Sequence, residues 1–176
     1  MVSADRGGTD RGGTGRGGTG VPPVHEFKIT RRNLPHWQLP GSIYFITWRC
    51  TDGTTLNSQE RNLALKAAIH WDNVKWIVYI VVVMPDHVHL MAQPIDKSPG
   101  STYDLSEIIH SVKSFSAHRI SKFREFGGAV WQEERYDRIV RDDEEFLEIW
   151  EYIRTNPVKK NLVQDLENYE WLYEKR

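Results

Sequence analysis

The stretch Met84–Leu90 reads MPDHVHL and sets two histidines, His87 and His89, on either side of one valine, directly after a run of β-branched residues. Alternate residues of a strand share a face, so the two imidazoles stand side by side while Val88 points the other way. Such a pair can hold a divalent ion. A half-buried strand with two polar outward positions has the same pattern, and the spacing alone leaves both readings open. Farther along, Tyr152 and Asn156 lie four residues apart in EYIRTN. On a helix they sit nearly above one another, about 6 Å apart along the axis. A tyrosine there commonly packs its ring and gives its hydroxyl to water, and an asparagine near a helix end is often a C-terminal cap.

The elements that carry these residues follow in order along the chain. SIYFITWRC, residues 42–50, reads as a first strand, and the turn residues TDGTT follow it. NSQERNLALKAAIHWDN opens like a capped helix, with Asn57 or Ser58 ahead of Glu60 and helical spacing at Leu63, Ala67 and His70. Trp76 to Met84 makes a second strand, the MPDH turn reverses it, and HVHLMAQP returns as a third strand paired with the second. After the loop IDKSPGSTY, a second helix puts Leu105, Ile108, Ile109, Val112, Phe115 and Ile120 mostly on one face.

Gly127 and Gly128 break the chain, AVWQEERYDRIVR gives a fourth strand, and DDEEFLEIWEYIRTN a third helix with an acidic start. In that helix Phe146, Ile149, Trp150 and Ile153 should face the core, with Tyr152 and Asn156 about a quarter-turn to the side. Pro157 is expected to end it, because the residue before a proline is steered away from helical angles. Strand, helix, strand, strand, helix, strand, helix predicts an α+β fold, a ferredoxin-like split βαβ sandwich with an antiparallel sheet and an added C-terminal helix carrying the tyrosine.

The whole chain sets bounds. Its 176 residues suggest one globular domain. A net charge of −1 excludes a uniformly basic nucleic-acid coat, so any polyanion site must be local. Cys50 is the only cysteine, which excludes an internal disulfide framework and a cysteine-based zinc cluster and fits a reducing cytoplasm. WIVYIVVVM is too short to span a bilayer, and the amino terminus lacks the apolar segment of a secretory signal. Residues 1–24, with repeats of Arg-Gly-Gly-Thr type, have too little apolar surface to offset the entropy of ordering and read as a disordered tail with no assigned function. The catalytic unit is expected over residues 25–176.

Five blocks in order, RRNLPHWQLPGSIYFIT, VVMPDHVHLM, IIHSVKSFSAHRI, WQEERYDRIVR and EYIRTNPVKKNLV, resemble the single-tyrosine HUH transposases, most closely the REP-associated tyrosine transposases. The resemblance covers nearly everything after the tail. It implies that His87 and His89 are metal ligands, Asn156 a third ligand, and Tyr152 the catalytic nucleophile. Relatives often have Asn in place of Asp86 or Gly in place of Asn161, and neither departure touches an implied ligand.

The implied chemistry suits these residue types. Two imidazoles and an amide oxygen suit magnesium or manganese, which would polarise a scissile phosphate while Tyr152 attacks phosphorus. The resemblance further implies a covalent 5′-phosphotyrosine, a free 3′ hydroxyl and rejoining without ATP. The expected partner is single-stranded DNA with hairpins, the expected state a monomer, a dimer being the alternative. Candidate DNA contacts are Arg31 and Arg32 near the start, Lys113, Arg119 and Lys122 on the second helix, Arg138 on the fourth strand and Lys159 after the tyrosine. Tyr136 is the main rival nucleophile, set aside because no metal-type side chain follows it by four residues, and Tyr103 is a weaker one. Two other functions compete: a metal-dependent phosphodiesterase using water, and a catalytically silent, domesticated nucleic-acid-binding domain. Retention of all four implied residues argues against the latter.

Overall fold

The computed structural model describes residues 28–31, 35–124 and 128–175. The tail to residue 24, Arg32 and the side chain of Arg31 lie outside that description. Strands β1 (Lys28–Arg31) and β2 (Pro35–Gln38) form an antiparallel hairpin where the sequence showed only a Pro-rich approach. Then come β3 (Tyr44–Cys50), α1 (Ser58–Ile69), β4 (Trp76–Val83) and β5 (His87–Pro94). The loop expected next contains a small hairpin, β6 (Asp96–Ser98) with β7 (Ser101–Thr102). It leads to α2 (Leu105–Arg124), β8 (Trp131–Ile139), α3 (Asp143–Lys159), a 3-10 turn at Leu166–Asn168 and β9 (Leu172–Glu174).

The main sheet runs β8-β3-β5-β4-β9, and every neighbouring pair is antiparallel. Its first four strands have the ferredoxin-like order expected from the sequence. Strand β9 is an addition on the outer edge of β4. Alternation sorts the strand residues into two cores. Tyr44, Ile46, Trp48, Val88, Leu90 and Ala92 join Ala64, Ala67, Ile108 and Val112 of α1 and α2 on one face. Phe45, Ile80, Val82 and Met91 join Ile149 and Ile153 of α3 on the other. In β4 a bulge falls between Val78 and Ile80. It inserts one extra residue, so that Val81 and Val83 stay on the α1–α2 side while Ile80 and Val82 meet α3.

Helix α1, and α2 at one position, depart from the expected face for a local reason. Helix α1 has the Asn57–Glu60 capping box, but it buries Glu60, Ala64, Ala67 and Ala68 rather than a stripe through Leu63 and His70. Small alanines let the helix lie close to the sheet, and Glu60 is neutralised by Arg124, whose Nε lies 2.5 Å from its Oε1. In α2 the inward position goes to Ser116, leaving Phe115 about half exposed. The Ser116 hydroxyl accepts the Trp131 indole N–H at 2.9 Å and donates to the Val112 carbonyl, so a buried donor is satisfied that a phenyl ring there would orphan.

Helix α3 does not stop at Pro157. It runs on to Lys159, with Pro157 itself buried. The stop is a Schellman arrangement in which the Asn161 N–H bonds to the Val158 carbonyl and the Leu162 N–H to that of Pro157. Asn161 takes the left-handed φ of 54° that this motif requires. The proline forfeits one helical hydrogen bond, but its ring and Ile153 pack inward, and tertiary burial outweighs the local break. No helix among the described residues is long and apolar enough to cross a membrane.

Candidate active site

His87 and His89 lie on β5, the middle strand of the sheet, and share the α3 face with Met91 while Val88 packs into the opposite core. Both are buried. Their rings are 4.5 Å apart between centroids with planes at 70°. Each ring is held through Nδ1: Asp86 Oδ1 lies 2.6 Å from that of His87, and Thr47 Oγ1 lies 2.7 Å from that of His89. A carboxylate only accepts, which assigns the proton of neutral His87 to Nδ1 and leaves its Nε2 lone pair free. Thr47 reaches His89 because the two are register partners across β3 and β5.

Burial comes first in setting the protonation of both rings. It depresses His89 to about 3, helped by His87 and by the positive charge of Arg49. His87 is also lowered by burial, against the opposing pull of Asp86. Neutral imidazole is the form that can donate a lone pair to a cation.

Helix α3 brings Tyr152 over this pair. The phenol oxygen is 3.3 Å from His89 Nε2, and the ring meets His89 at 5.2 Å and Phe45 edge-on at 6.1 Å between centroids. Tyr152 remains 42% exposed, open to a substrate from solvent. One turn on, Asn156 is buried in the inward stripe of α3, and its Oδ1 has no hydrogen-bond partner among the described residues. The helix continues past it, so it does not serve as the C-terminal cap. No group of three or more His, Cys, Asp or Glu side chains that could hold a metal occurs among the described residues, and the unpartnered Asn156 Oδ1 is a further neutral oxygen donor on α3.

The basic residues singled out in the sequence divide by layer. Lys159 Nζ lies 5.8 Å from the centre of the Tyr152 ring, and Lys160 adds positive charge felt by both histidines. Arg138 lines an open groove of about 370 Å3 with Phe45, Glu148, Ile149 and Tyr152, but its guanidinium is paired with Glu145. Lys113 donates to the carbonyls of Gln132 and Glu133. Arg119 and Lys122 project from α2, across the sheet from the tyrosine, beside Leu63 and Phe123. Tyr136 leans its ring on Phe45 at 6.3 Å, one strand farther from the histidines than Thr47. Thr47, Asp86 and Arg49 complete the site and were not singled out as site residues. Asp86 had a signal in its adjacency to His87, whereas Thr47 and Arg49 are brought in only by strand register.

The family model for IS200-like transposases matches residues 43–156, from the edge of β3 to Asn156. The chain belongs to the IS200-like transposase family. A Haemophilus influenzae protein described as "Putative REP-associated tyrosine transposase" is 27% identical over 97 residues, covering 51% of this chain and 53% of that relative. The chain therefore spans about half the length of that relative. An uncharacterized protein of the same organism is 26% identical over 144 residues, covering 65% of this chain and 79% of its own. In fold, the chain superposes with a TM-score of 0.67 and 17% identity on a REP-associated tyrosine transposase solved bound to a REP hairpin, covering 81% of this chain and 82% of that one.

Proposed function

We propose that this IS200-like transposase cleaves and rejoins single-stranded, hairpin-containing DNA through a covalent phosphotyrosine. The observation that carries the reading is the placement of the Tyr152 hydroxyl, half open to solvent, 3.3 Å from a ring nitrogen of the paired histidines. A hairpin-bound protein of the same fold, at 17% identity, supports the substrate class.

The residues present fit a divalent cation. With His87 Nδ1 taken by Asp86, and with Thr47 Oγ1 accepting from His89 Nδ1–H, each ring has Nε2 to offer, and the orphaned amide oxygen of Asn156 is a third neutral donor. Magnesium or manganese bound there would polarise the scissile phosphate and stabilise the charge that builds on its oxygens. The chain's own residues supply the rest. Phe45 holds the Tyr152 ring edge-on, fixing the direction of the phenol oxygen. Lys159, Lys160 and Arg49 surround the site with positive charge that suits a phosphodiester. Tyr152 gives up its proton to solvent, its oxygen bonds to phosphorus, and the P–O3′ bond breaks, O3′ taking a proton from solvent, to leave a 3′ hydroxyl and a 5′-phosphotyrosine. This polarity follows the resemblance of the sequence blocks to HUH transposases. One phosphodiester replaces another, so attack by a 3′ hydroxyl on the phosphotyrosine reverses the step without ATP.

The test is incubation with a labelled single-stranded hairpin and manganese, followed by denaturing electrophoresis. A protein–DNA band is expected from the natural sequence and from Tyr136→Phe, and none from Tyr152→Phe, which keeps the ring but lacks the attacking oxygen. Undiminished cleavage by Tyr152→Phe would overturn the assignment. Cleavage by the natural sequence with no covalent band would point instead to attack by water.

A further inference from the structure

Helix α3 packs chiefly over β4 and β5 and meets β3 at Phe45, which leaves Arg49 at the end of β3 and Tyr136 of β8 exposed on the same sheet face. Strand register sets His89, Thr47 and Tyr136 in one row across that face, and Arg49 opposite His87 in the next. A cleft of about 200 Å3 opens there, bordered by Thr47, Trp48, Arg49, Gln132, Glu134, Arg135 and Tyr136, with Arg135 ion-paired to Asp137. It therefore begins at the threonine that holds the metal-site histidine and leads away toward the sheet edge.

Three features of this cleft concern one kind of ligand. Tyr136 is 50% exposed, and Phe45 props its ring from one side. A propped, half-open aromatic beside a phosphoryl-transfer site is a surface on which a nucleobase stacks. Glu134 borders the same cleft, and its buried Oε2 has no hydrogen-bond partner among the described residues, a costly state unless something else supplies a donor. Arg49 stands at the mouth on the histidine side. A carboxylate repels phosphate, so the backbone of a strand in the cleft must run on the Arg49 side with its base turned toward Glu134.

We propose that this cleft is a base-reading pocket for the nucleotide next to the scissile phosphate, with Tyr136 stacking on the base and Glu134 accepting hydrogen bonds from its edge. The inference rests on the proposed action on single-stranded DNA and adds a specificity element to it. A carboxylate matches the amino groups of cytosine, adenine or guanine. The only ring N–H of thymine lies between two carbonyls that repel the carboxylate, so thymine is the rejected base.

The test uses the Tyr152→Phe protein, which cannot turn substrate over, and fluorescence anisotropy on hairpins whose single-stranded flank carries an abasic site at each position in turn. One position, next to the nick mapped with the natural sequence, should weaken binding by about five- to a hundred-fold when its base is removed. Adding Tyr136→Ala should cost a similar factor on intact DNA and nothing further on that abasic DNA, while Tyr136→Phe keeps the coupling. At the same position thymine should bind worst, and Glu134→Gln, whose amide both donates and accepts, should erase the discrimination. The conservative Phe and Gln variants keep the result readable if the alanine variant folds poorly. The pocket is refuted if abasic penalties are equal with and without Tyr136 at every position, or if thymine is still rejected by Glu134→Gln. A chain that neither binds nor nicks any hairpin refutes the proposed function, and the pocket falls with it; nicking without the coupling refutes the pocket alone.

Discussion

At the scale of single residues, the site is assembled from side chains that hold one another in a fixed chemical state. Asp86 and Thr47 each hold one ring nitrogen, the carboxylate fixing the Nε2 lone pair of His87, and burial keeps His89 neutral down to about pH 3. The same burial makes the histidines an acid-labile feature. An unfolded histidine binds a proton near pH 6.5, whereas folded His89 refuses it until about 3, so stability that is full above pH 6.5 is lost as pH falls toward 3. Glu145, held down to about 2 first by hydrogen bonds from Arg141 and then by Arg138, contributes a similar loss, but only below its ordinary value of 4.5. Between pH 6.5 and 4.5 the histidines therefore dominate over Glu145. Thermal melts in chelator should show a fall in midpoint from pH 7 to pH 5, at most about 1.4 kcal/mol per pH unit for each histidine. His89→Gln should flatten that fall, and an unchanged slope would mean the ring is already protonated in the fold.

Under the proposed function, the same pair carries the metal dependence. His87→Ala and His89→Ala should each abolish cleavage while retaining most affinity for hairpin DNA, because phosphate contacts elsewhere supply binding. Manganese calorimetry on the DNA-free protein is the second readout, expected to lose its binding signal in either variant. Full cleavage by the double variant would remove the site.

At the scale of elements, placement depended on what each helix had to satisfy. In α2 the choice of Ser116 over Phe115 for the inward position follows from the Trp131 indole N–H, which would otherwise be buried without an acceptor. Ser116→Ala should destabilise the protein by about 1–3 kcal/mol in urea unfolding, with cleavage at permissive temperature unaffected. Helix α3 gains its length from the left-handed Asn161 stop beyond Pro157. That extra turn puts Asn156 inside the helix and Lys159 over the Tyr152 ring. Asn161→Gly should therefore be tolerated, and Asn161→Val should loosen the turn that carries these residues.

At the scale of the whole molecule, the sheet separates two populations of positive charge. Arg49, Lys159 and Lys160 lie around the tyrosine, whereas Arg119 and Lys122 lie behind α2 on the other side of the sheet. Replacing Lys159 and Lys160 with glutamine should weaken hairpin binding and flatten its salt dependence by about 0.7 per lost phosphate contact. Arg119→Gln with Lys122→Gln should leave cleavage of a short strand unchanged if DNA stays on the tyrosine face. A lower salt slope in that second pair would show that the duplex stem wraps onto the α2 layer.

Periodicity in the sequence determined the order of four sheet strands and three helices, the α+β class, the shared face of His87 and His89 and the helical stacking of Tyr152 on Asn156, because these depend only on local repeats of two and of about 3.6 residues. Local pattern could not decide which faces meet. The pairing of Thr47 with His89, the row that ends at Tyr136, the unpartnered Glu134 and the docking of β9 on β4 all join residues far apart in the chain. The Pro157 signal failed for the same reason, since a local preference against helix is weaker than the burial that α3 gains on the sheet. Tertiary structure alone put the tyrosine against the histidines and set most of the α2 cations singled out in the sequence on the far side of the sheet, because only the packed sheet fixes which face a distant side chain shares.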